Sequence, residues 1–392
     1  MRLPQAFIER TRPLLGDDFP AFEAALEQES PVSIRLNPRK FAPSEILGSQ
    51  FPIPDLEPVL WASDAFYLPS RPVFTLDPLF HAGCYYVQEA SSMFLEHFVN
   101  QYITEPVTAL DLCAAPGGKA SQLSSLLPEG SLLVANEVIR SRAPILAENL
   151  IKWGNPNTVV TNCDPAQIGK NRDLFDMIVC DLPCSGEGLF RKDPKAVNEW
   201  SVDNVKLCAE RQFRIVADIF PALKAGGILI YSTCTYNREE NEENVARICG
   251  ELGAEMLENP RRFWPHKTKG EGFFIAGIRK NGEENSAVRP NFKNLKVIFD
   301  GREILKNQGK EIQPNHALAM SVELPENAFP RWDLDLPTAL NYLRREALRD
   351  IPQSLPKGYI IVTYKNRPLG FVKNIGSRAN NLYPQEWKIR MR

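Results

Sequence analysis

Beyond Val107 the apolar positions fall into short runs separated by amphipathic stretches. VTALDL (107–112) reads as a buried strand, a Gly-rich turn follows, and KASQLSSLL (119–127) has helical spacing. SLLVANE (131–137), TVVTN (158–162), FDMIVCD (175–181) and GGILIYSTC (226–234) read as further strands, and FFIAGIRK (273–280) as a late one. Between them, SRAPILAENLIKWG (141–154) predicts a helix that Gly154 ends as a C-cap, and 202–223 predicts a long helix. Strands alternating with helices imply a mostly parallel sheet covered on both faces, with ligands outside the carboxyl ends of its strands. Upstream, PAFEAALEQE (20–29) is helical in period, and a Pro-rich stretch (52–72) reads as part of a small accessory domain. Past about residue 285 the pattern turns irregular until GYIIVTYKNRPLGFVK (358–373), which predicts a hairpin in a compact β-rich module. The pattern divides the chain into 1–100, 101–282 and 283–392.

At 392 residues, 43% hydrophobic and 24% charged, the chain is ordinary for globular domains, which excludes wholesale disorder and a collagen-like repeat. No apolar run is long enough for a membrane-spanning helix, and the N-terminus has no secretion-signal pattern. Eight cysteines without repeated CxxC pairs fit a reducing cytoplasm. The expectation is a cytoplasmic monomer without a membrane partner. The net charge of −2 hides an asymmetry: residues 1–259 are acidic, whereas 260–392 carry a net +11. A basic C-terminal third is what a polyanion-binding region would show. The aromatic side chains there (Tyr359, Tyr364, Phe371, Tyr383, Trp387) could stack on bases, but at strand or helix spacing they read as core.

The chemistry collects where the strands end. Strand one runs into Asp111-Leu-Cys113-Ala114-Ala115-Pro116-Gly117-Gly118-Lys119, whose adjacent glycines let backbone approach a ligand ahead of a helix N-terminus. The loop is neither GxGxxG nor a P-loop. Glu137 ends strand two, Asp164 follows strand three and Asp181 ends strand four. Each acid alone would be an ordinary cap or turn residue. Together they suit a nucleoside-bearing cofactor with a cationic centre. Cys184 (in DLPCSGEG) and Cys234 (in STCT) stand where strands open toward the same pocket, while Cys113, Cys163, Cys180, Cys208 and Cys249 read as inert thiols. The four histidines lack metal-ligand spacing, so neither a zinc site nor a Cys-His hydrolase is supported, and no metal is expected. Two thiols and a carboxyl suit methylation of cytosine at carbon-5, because a thiolate adding to carbon-6 makes carbon-5 nucleophilic. Residue types alone leave open which thiol attacks.

These loops resemble the Sun-type (NSUN) RNA 5-methylcytosine methyltransferases, most closely the bacterial RsmF-like 16S ribosomal RNA enzymes. The matching stretches are SIRLNP (33–38), YYVQEASSM (85–93), DLCAAPGGKASQL (111–123), NEVIRSR (136–142), FDMIVCDLPCSGEGLFRKDP (175–194), YSTCTYNREENEENV (231–245) and PHKTKGEGFF (265–274). The resemblance implies a Rossmann-like class I methyltransferase core with a seven-stranded sheet, a small N-terminal α/β domain and a β-rich, PUA-like C-terminal RNA-binding domain. It implies that Cys113, Ala114, Ala115, Pro116, Gly117, Gly118 and Lys119 line S-adenosylmethionine. Glu137 would hold the ribose hydroxyls, with Arg142 nearby, Asp164 beside the adenine, and Asp181 facing both cofactor and base. Cys234 would be the nucleophile and Cys184 the thiol assisting product release. The partner implied is RNA, ribosomal in the first instance and possibly inside the small subunit. Transfer RNA methylation and a non-catalytic assembly role stay open as alternatives.

Overall fold

The computed structural model describes residues 3–41, 56–282, 292, 294–306 and 313–391. The start of the Pro-rich stretch, 52–55, lies outside these residues. The first described segment forms helices Gln5–Leu15 and Phe19–Leu26. An antiparallel sheet follows, with strands β1 (Val32–Leu36), β2 (Glu57–Pro58), β3 (Ala65–Leu68) and β4 (Tyr85–Val87) in the order β2-β3-β1-β4.

The central sheet has nine strands. They are β5 (Thr108–Asp111), β6 (Leu132–Asn136), β7 (Thr158–Thr161), β8 (Phe175–Asp181), β9 (Leu223–Thr233), β10 (Ala254–Met256), β11 (Arg261–Phe263), β12 (Phe273–Lys280) and β13 (Val297–Asp300). Their order is β10-β12-β9-β8-β5-β6-β7-β13, with β11 beside β12. Strands β5 to β9 are mutually parallel, and β12 runs antiparallel against β9. Seven strands thus form the expected core. Three were not read from the sequence: β10 supplies the seventh strand, β11 doubles that edge, and β13 pairs antiparallel with β7 at the other. Three-residue and isolated four-residue pairings leave too little period-2 pattern to be read in advance.

The chain passes from β5 outward to β6 and β7, then returns to place β8 on the other side of β5. The crevice at that reversal is where the strand-end acids open. Apolar clusters fill both faces of the sheet, around Leu110, Ile178 and Phe274 on one and Ala109, Val179 and Ile230 on the other. The helix Gly118–Leu126 starts directly after the Gly117 turn, and Ala143–Trp153 ends at Gly154 in the left-handed conformation, as its spacing predicts.

The predicted C-terminal hairpin is present as β15 (Gly358–Tyr364) and β16 (Arg367–Asn374), joined through Lys365 and Asn366 at positive φ. Parallel β14 (Arg331–Leu334) and antiparallel β17 (Ala379–Asn381) complete that sheet. Tyr364, Phe371 and Tyr383 are buried, in agreement with their reading as core. One cluster runs from Ile34, Leu36 and Tyr85 to Tyr342, Val362 and Val372, so N- and C-terminal sheets share a core. A second surprise is at the start: Phe7, Phe19, Phe22 and Leu26 pack on Phe190, Tyr236 and Trp264, against the segments that carry Cys184 and Cys234.

Candidate active site

The loop after β5 is built for close backbone approach. Gly117 has φ +122°, and a Cβ there would stand 3.3 Å from Asn149, while the Ala115–Pro116 peptide is cis. Asn149 donates to the Pro116 carbonyl at 2.7 Å, and Arg142 Nη2 donates to Ala115 O at 2.6 Å. The same guanidinium lies 3.4 Å from Glu137 Oε2, so Arg142, Glu137 and the Gly-rich loop are brought together as the sequence predicts. Glu137 is buried, its Oε1 accepting from Ile139 N at 2.7 Å and its Oε2 facing Arg142. Asp164 is exposed and caps the short helix after β7, accepting from Ala166 N at 2.9 Å. The cap occupies only one of its two oxygens.

Asp111, at the end of β5, is the most deeply buried of these acids. It is fully buried, neither carboxylate oxygen has a hydrogen-bond partner among the described residues, and burial pushes its pKa up to about 8 against the pull of Lys119. An unsatisfied buried carboxyl at a strand end needs a donor from outside the chain. Burial likewise pushes the adjacent Cys113 thiol up, which keeps it protonated and consistent with an inert lining residue.

Asp181, at the end of β8, joins the cofactor loop to the thiols. Lys119 Nζ lies 2.8 Å from its Oδ2, and Ser232 donates to its Oδ1 at 2.9 Å. Ser232 is two residues before Cys234 on β9. Cys184 Sγ and Cys234 Sγ are 3.0 Å apart, a contact that two loops fifty residues apart have to be aligned to make. Its hydrogen bond to Cys234, and then burial, push the Cys184 thiol well up. Either thiol can donate in that contact, so each is within proton-transfer reach of the other.

Sequence reading missed Arg35, Gln88, Glu187 and Glu240. Arg35 and Gln88 come from the N-terminal sheet to the cofactor loop, and Glu187 and Glu240 are buried beneath the thiols. SIRLNP and CSGEG contained the signals, as charged residues inside otherwise apolar or small-residue stretches.

Comparison with known proteins bears on the family and the fold. The sequence model described as 16S rRNA methyltransferase RsmB/F matches residues 102–279. That of the N-terminal domain of 16S rRNA methyltransferase RsmF matches 3–90, and that of the methyltransferase RsmF PUA domain matches 329–389. Ribosomal RNA small subunit methyltransferase F of Pectobacterium atrosepticum is 31% identical, covering 98% of this chain and 95% of its own. The protein of the same name from Citrobacter koseri is also 31% identical, over 98% and 96%. Among solved structures, a methyltransferase homolog protein from Pyrococcus horikoshii is 28% identical with a TM-score of 0.61, over 71% of this chain and 95% of its own. NSun6 from the same organism, solved with SFG, shares the fold with a TM-score of 0.62 at 19% identity, over 71% and 99%.

Fold, crevice and likeness together define an S-adenosylmethionine-dependent methyltransferase with a class I sheet. The chain belongs to the RsmF-type family of 16S ribosomal RNA methyltransferases. The residues present fit that cofactor: an orphaned buried carboxyl in Asp111, a glycine turn and an acid placed for hydroxyl groups in Glu137.

Proposed function

We propose that this enzyme methylates carbon-5 of a cytosine in small-subunit ribosomal RNA, with Cys234 as covalent nucleophile. The paired thiols, 3.0 Å apart beside the Asp181–Lys119 ion pair, carry this reading. On it, residues 113–119 with Glu137, Arg142 and Asp164 hold S-adenosylmethionine, and Asp181 serves both cofactor and base. Bound there, the cofactor supplies an electrophilic methyl group on a sulfonium.

Cys234 loses its proton to solvent and its sulfur bonds to cytosine carbon-6, which pushes the C5=C6 electron pair toward carbon-5. Asp181 stands beside ring N3, where a proton or hydrogen bond offsets the charge that develops, and Lys119 and Ser232 orient its two oxygens. Carbon-5 takes the methyl. The Cys184 S–H then gives its proton to the departing Cys234 sulfur, and the resulting Cys184 thiolate accepts the carbon-5 proton as the double bond re-forms. Both thiols end protonated. The 3.0 Å Sγ–Sγ contact supports this division, since it puts Cys184 within proton-transfer reach of the departing sulfur.

The target base has to be extruded, or already single-stranded, to expose carbon-6. The division into 1–100 as accessory RNA-binding region, 101–282 as catalytic domain and 283–392 as basic RNA-binding domain belongs to the same proposal. It places the enzyme in the cytoplasm as a monomer. Among the described residues no helix is long and apolar enough to cross a membrane.

The test is an RNA carrying 5-fluorocytosine at the target, on which the carbon-5 proton cannot be removed. Digestion of the trapped complex should give a peptide labelled at Cys234. Cys234→Ser should abolish both label and turnover, while Cys184→Ser should accumulate a denaturation-resistant adduct on unmodified RNA. A label on Cys184, or an active Cys234→Ser, would overturn the assignment.

A further inference from the structure

The two thiols sit on different loops, tied together by Ser185 and Glu240 and, through the largest set of donors from the second loop, by Glu187. Glu187 is in the turn that follows Cys184 and is buried. Its Oε2 accepts from Thr235 Oγ1 at 2.6 Å, Tyr236 N at 2.8 Å and Asn237 N at 2.9 Å, three successive residues after Cys234. Its Oε1 accepts from Trp200 Nε1 at 2.9 Å. Beside it, Gly188 N donates to Cys234 O at 2.9 Å. That approach is possible only for glycine, since a Cβ at 188 would stand 2.9 Å from Cys234 O and 2.4 Å from Gly272 O.

We propose that Glu187 is a positioning residue that sets the distance between Cys184 and Cys234, by holding the backbone after one thiol from the loop that carries the other. The proposal rests on the reading of these thiols as a catalytic pair. Only a carboxylate meets all four donors. One oxygen can take three donors and the other a fourth, whereas a glutamine at this position must aim its own N–H₂ at an indole N–H or at two backbone N–H groups. The arrangement therefore distinguishes Glu from its isostere by geometry rather than by size. Glu187 contacts none of residues 113–119, so the cofactor loop should not feel its loss. Removal loosens the Thr235–Asn237 backbone, and the Sγ–Sγ distance is what varies.

A thiol ruler measures that distance without turnover. In a glutathione redox buffer, oxidised glutathione converts the Cys184 and Cys234 thiols to a disulfide and is reduced to two thiols, so the equilibrium reports their effective concentration. In Glu187→Gln this effective concentration should fall by about tenfold or more, as expected when a charged acceptor loses its donors. The rate of adduct formation on 5-fluorocytosine RNA should fall with it, while calorimetric affinity for S-adenosylmethionine stays within about twofold. Trp200→Phe empties only Oε1, and should leave the disulfide equilibrium near wild type even where it lowers the melting temperature. If Glu187→Gln does not fold, Glu187→Asp draws the carboxylate back from the same donors and should move both readouts in the same direction. Unchanged thiol coupling in the folded variant would overturn the proposal. So would a parallel loss of cofactor affinity, or an equal effect of Trp200→Phe. A wild-type enzyme that never forms the adduct would instead overturn the catalytic reading, and the glutathione equilibrium would still decide on Glu187.

Discussion

The guanidinium of Arg35, on a strand of the N-terminal sheet, donates to the carbonyl of Gly118 in the cofactor loop, Nη2 to O at 3.2 Å. The same group reaches Ser121 Oγ at 2.5 Å and Gln88 Oε1 at 2.9 Å, and lies 4.6 Å from the Trp153 ring. It is buried, and burial pulls its pKa down to about 9, so it remains charged at neutral pH. A fork of donors spanning three acceptors is work a lysine ammonium cannot reproduce. Arg35→Lys should weaken S-adenosylmethionine binding by about tenfold, in line with the loss of a charge-assisted hydrogen bond. It should also lower the melting temperature. Titration calorimetry beside thermal unfolding checks this, and an unchanged affinity in a destabilised protein would confine Arg35 to holding the N-terminal sheet in place.

Asp111 predicts a proton coupled to cofactor binding. With its carboxyl pushed up to about 8 by burial, the free protein carries it mostly protonated at pH 7. An ammonium group brought beside it favours the charged form and lowers that value again. Binding should then release up to about one proton at pH 7, and affinity should rise as pH goes from about 6 to 8. The sign is opposite for stability. A carboxyl raised in the folded state contributes least when ionised, so free-protein stability should decline over that interval. Calorimetry in buffers of different ionisation enthalpy measures the proton directly. Asp111→Asn should abolish the release, and a pH-independent affinity in the wild type would rule out a role for this carboxyl.

Much of this arrangement was legible in the sequence, and the reasons are physical. The parallel strands β5 to β9 are buried on both faces, so their apolar runs stand out, and the residues that break those runs (Asp111, Glu137, Asp181, Cys234) mark the crevice. The glycine pair at 117–118 announces close approach, and at Gly117 a φ of +122° strains any side chain. What stayed hidden depends on long-range geometry. Arg35 is 83 residues from Gly118 in sequence, and nothing in SIRLNP states which loop it will meet. Glu187 reads as one more surface acid until the chain brings Thr235 to Asn237 over it. The edge strand at 297–300 and the core shared by the two terminal sheets escaped for the same reason, since both depend on segments that are irregular until they find a partner.

Lys40 joins the N-terminal sheet to the catalytic domain and titrates in an accessible range. Its Nζ donates to Ala82 O at 3.0 Å and Lys152 O at 2.6 Å, without a carboxylate among those partners, and burial pulls its pKa down to about 8. A lysine lowered in the folded state disfavours folding while charged, and that penalty is relieved as pH rises from about 8 toward its unfolded value of about 10.4. The wild type should therefore gain up to about 2–3 kcal/mol relative to Lys40→Met across that window. Urea unfolding of both proteins at several pH values gives the difference, and a constant gap would mean that Lys40 does not titrate with folding.

The basic C-terminal third offers the last test, and the structure decides how to run it. Deleting residues 283–392 would strip Tyr342, Val362 and Val372 from the core they share with Ile34 and Leu36, so lost RNA binding would say nothing about charge. Surface reversals avoid this. Lys357, Lys373 and Arg378 are exposed near one end of the β15–β16–β17 sheet, where Gly358 pairs with Asn374 and Asn374 with Ala379. If these cations meet RNA phosphates, the triple change Lys357→Glu, Lys373→Glu and Arg378→Glu should weaken binding by an order of magnitude or more. It should also flatten the plot of log affinity against log salt by about two to three, since each phosphate contact contributes about 0.7–0.9 to that slope. S-adenosylmethionine affinity should not change. A weaker affinity with the original slope would place the effect on folding or orientation, and an unaltered affinity would move the phosphate contacts to another face.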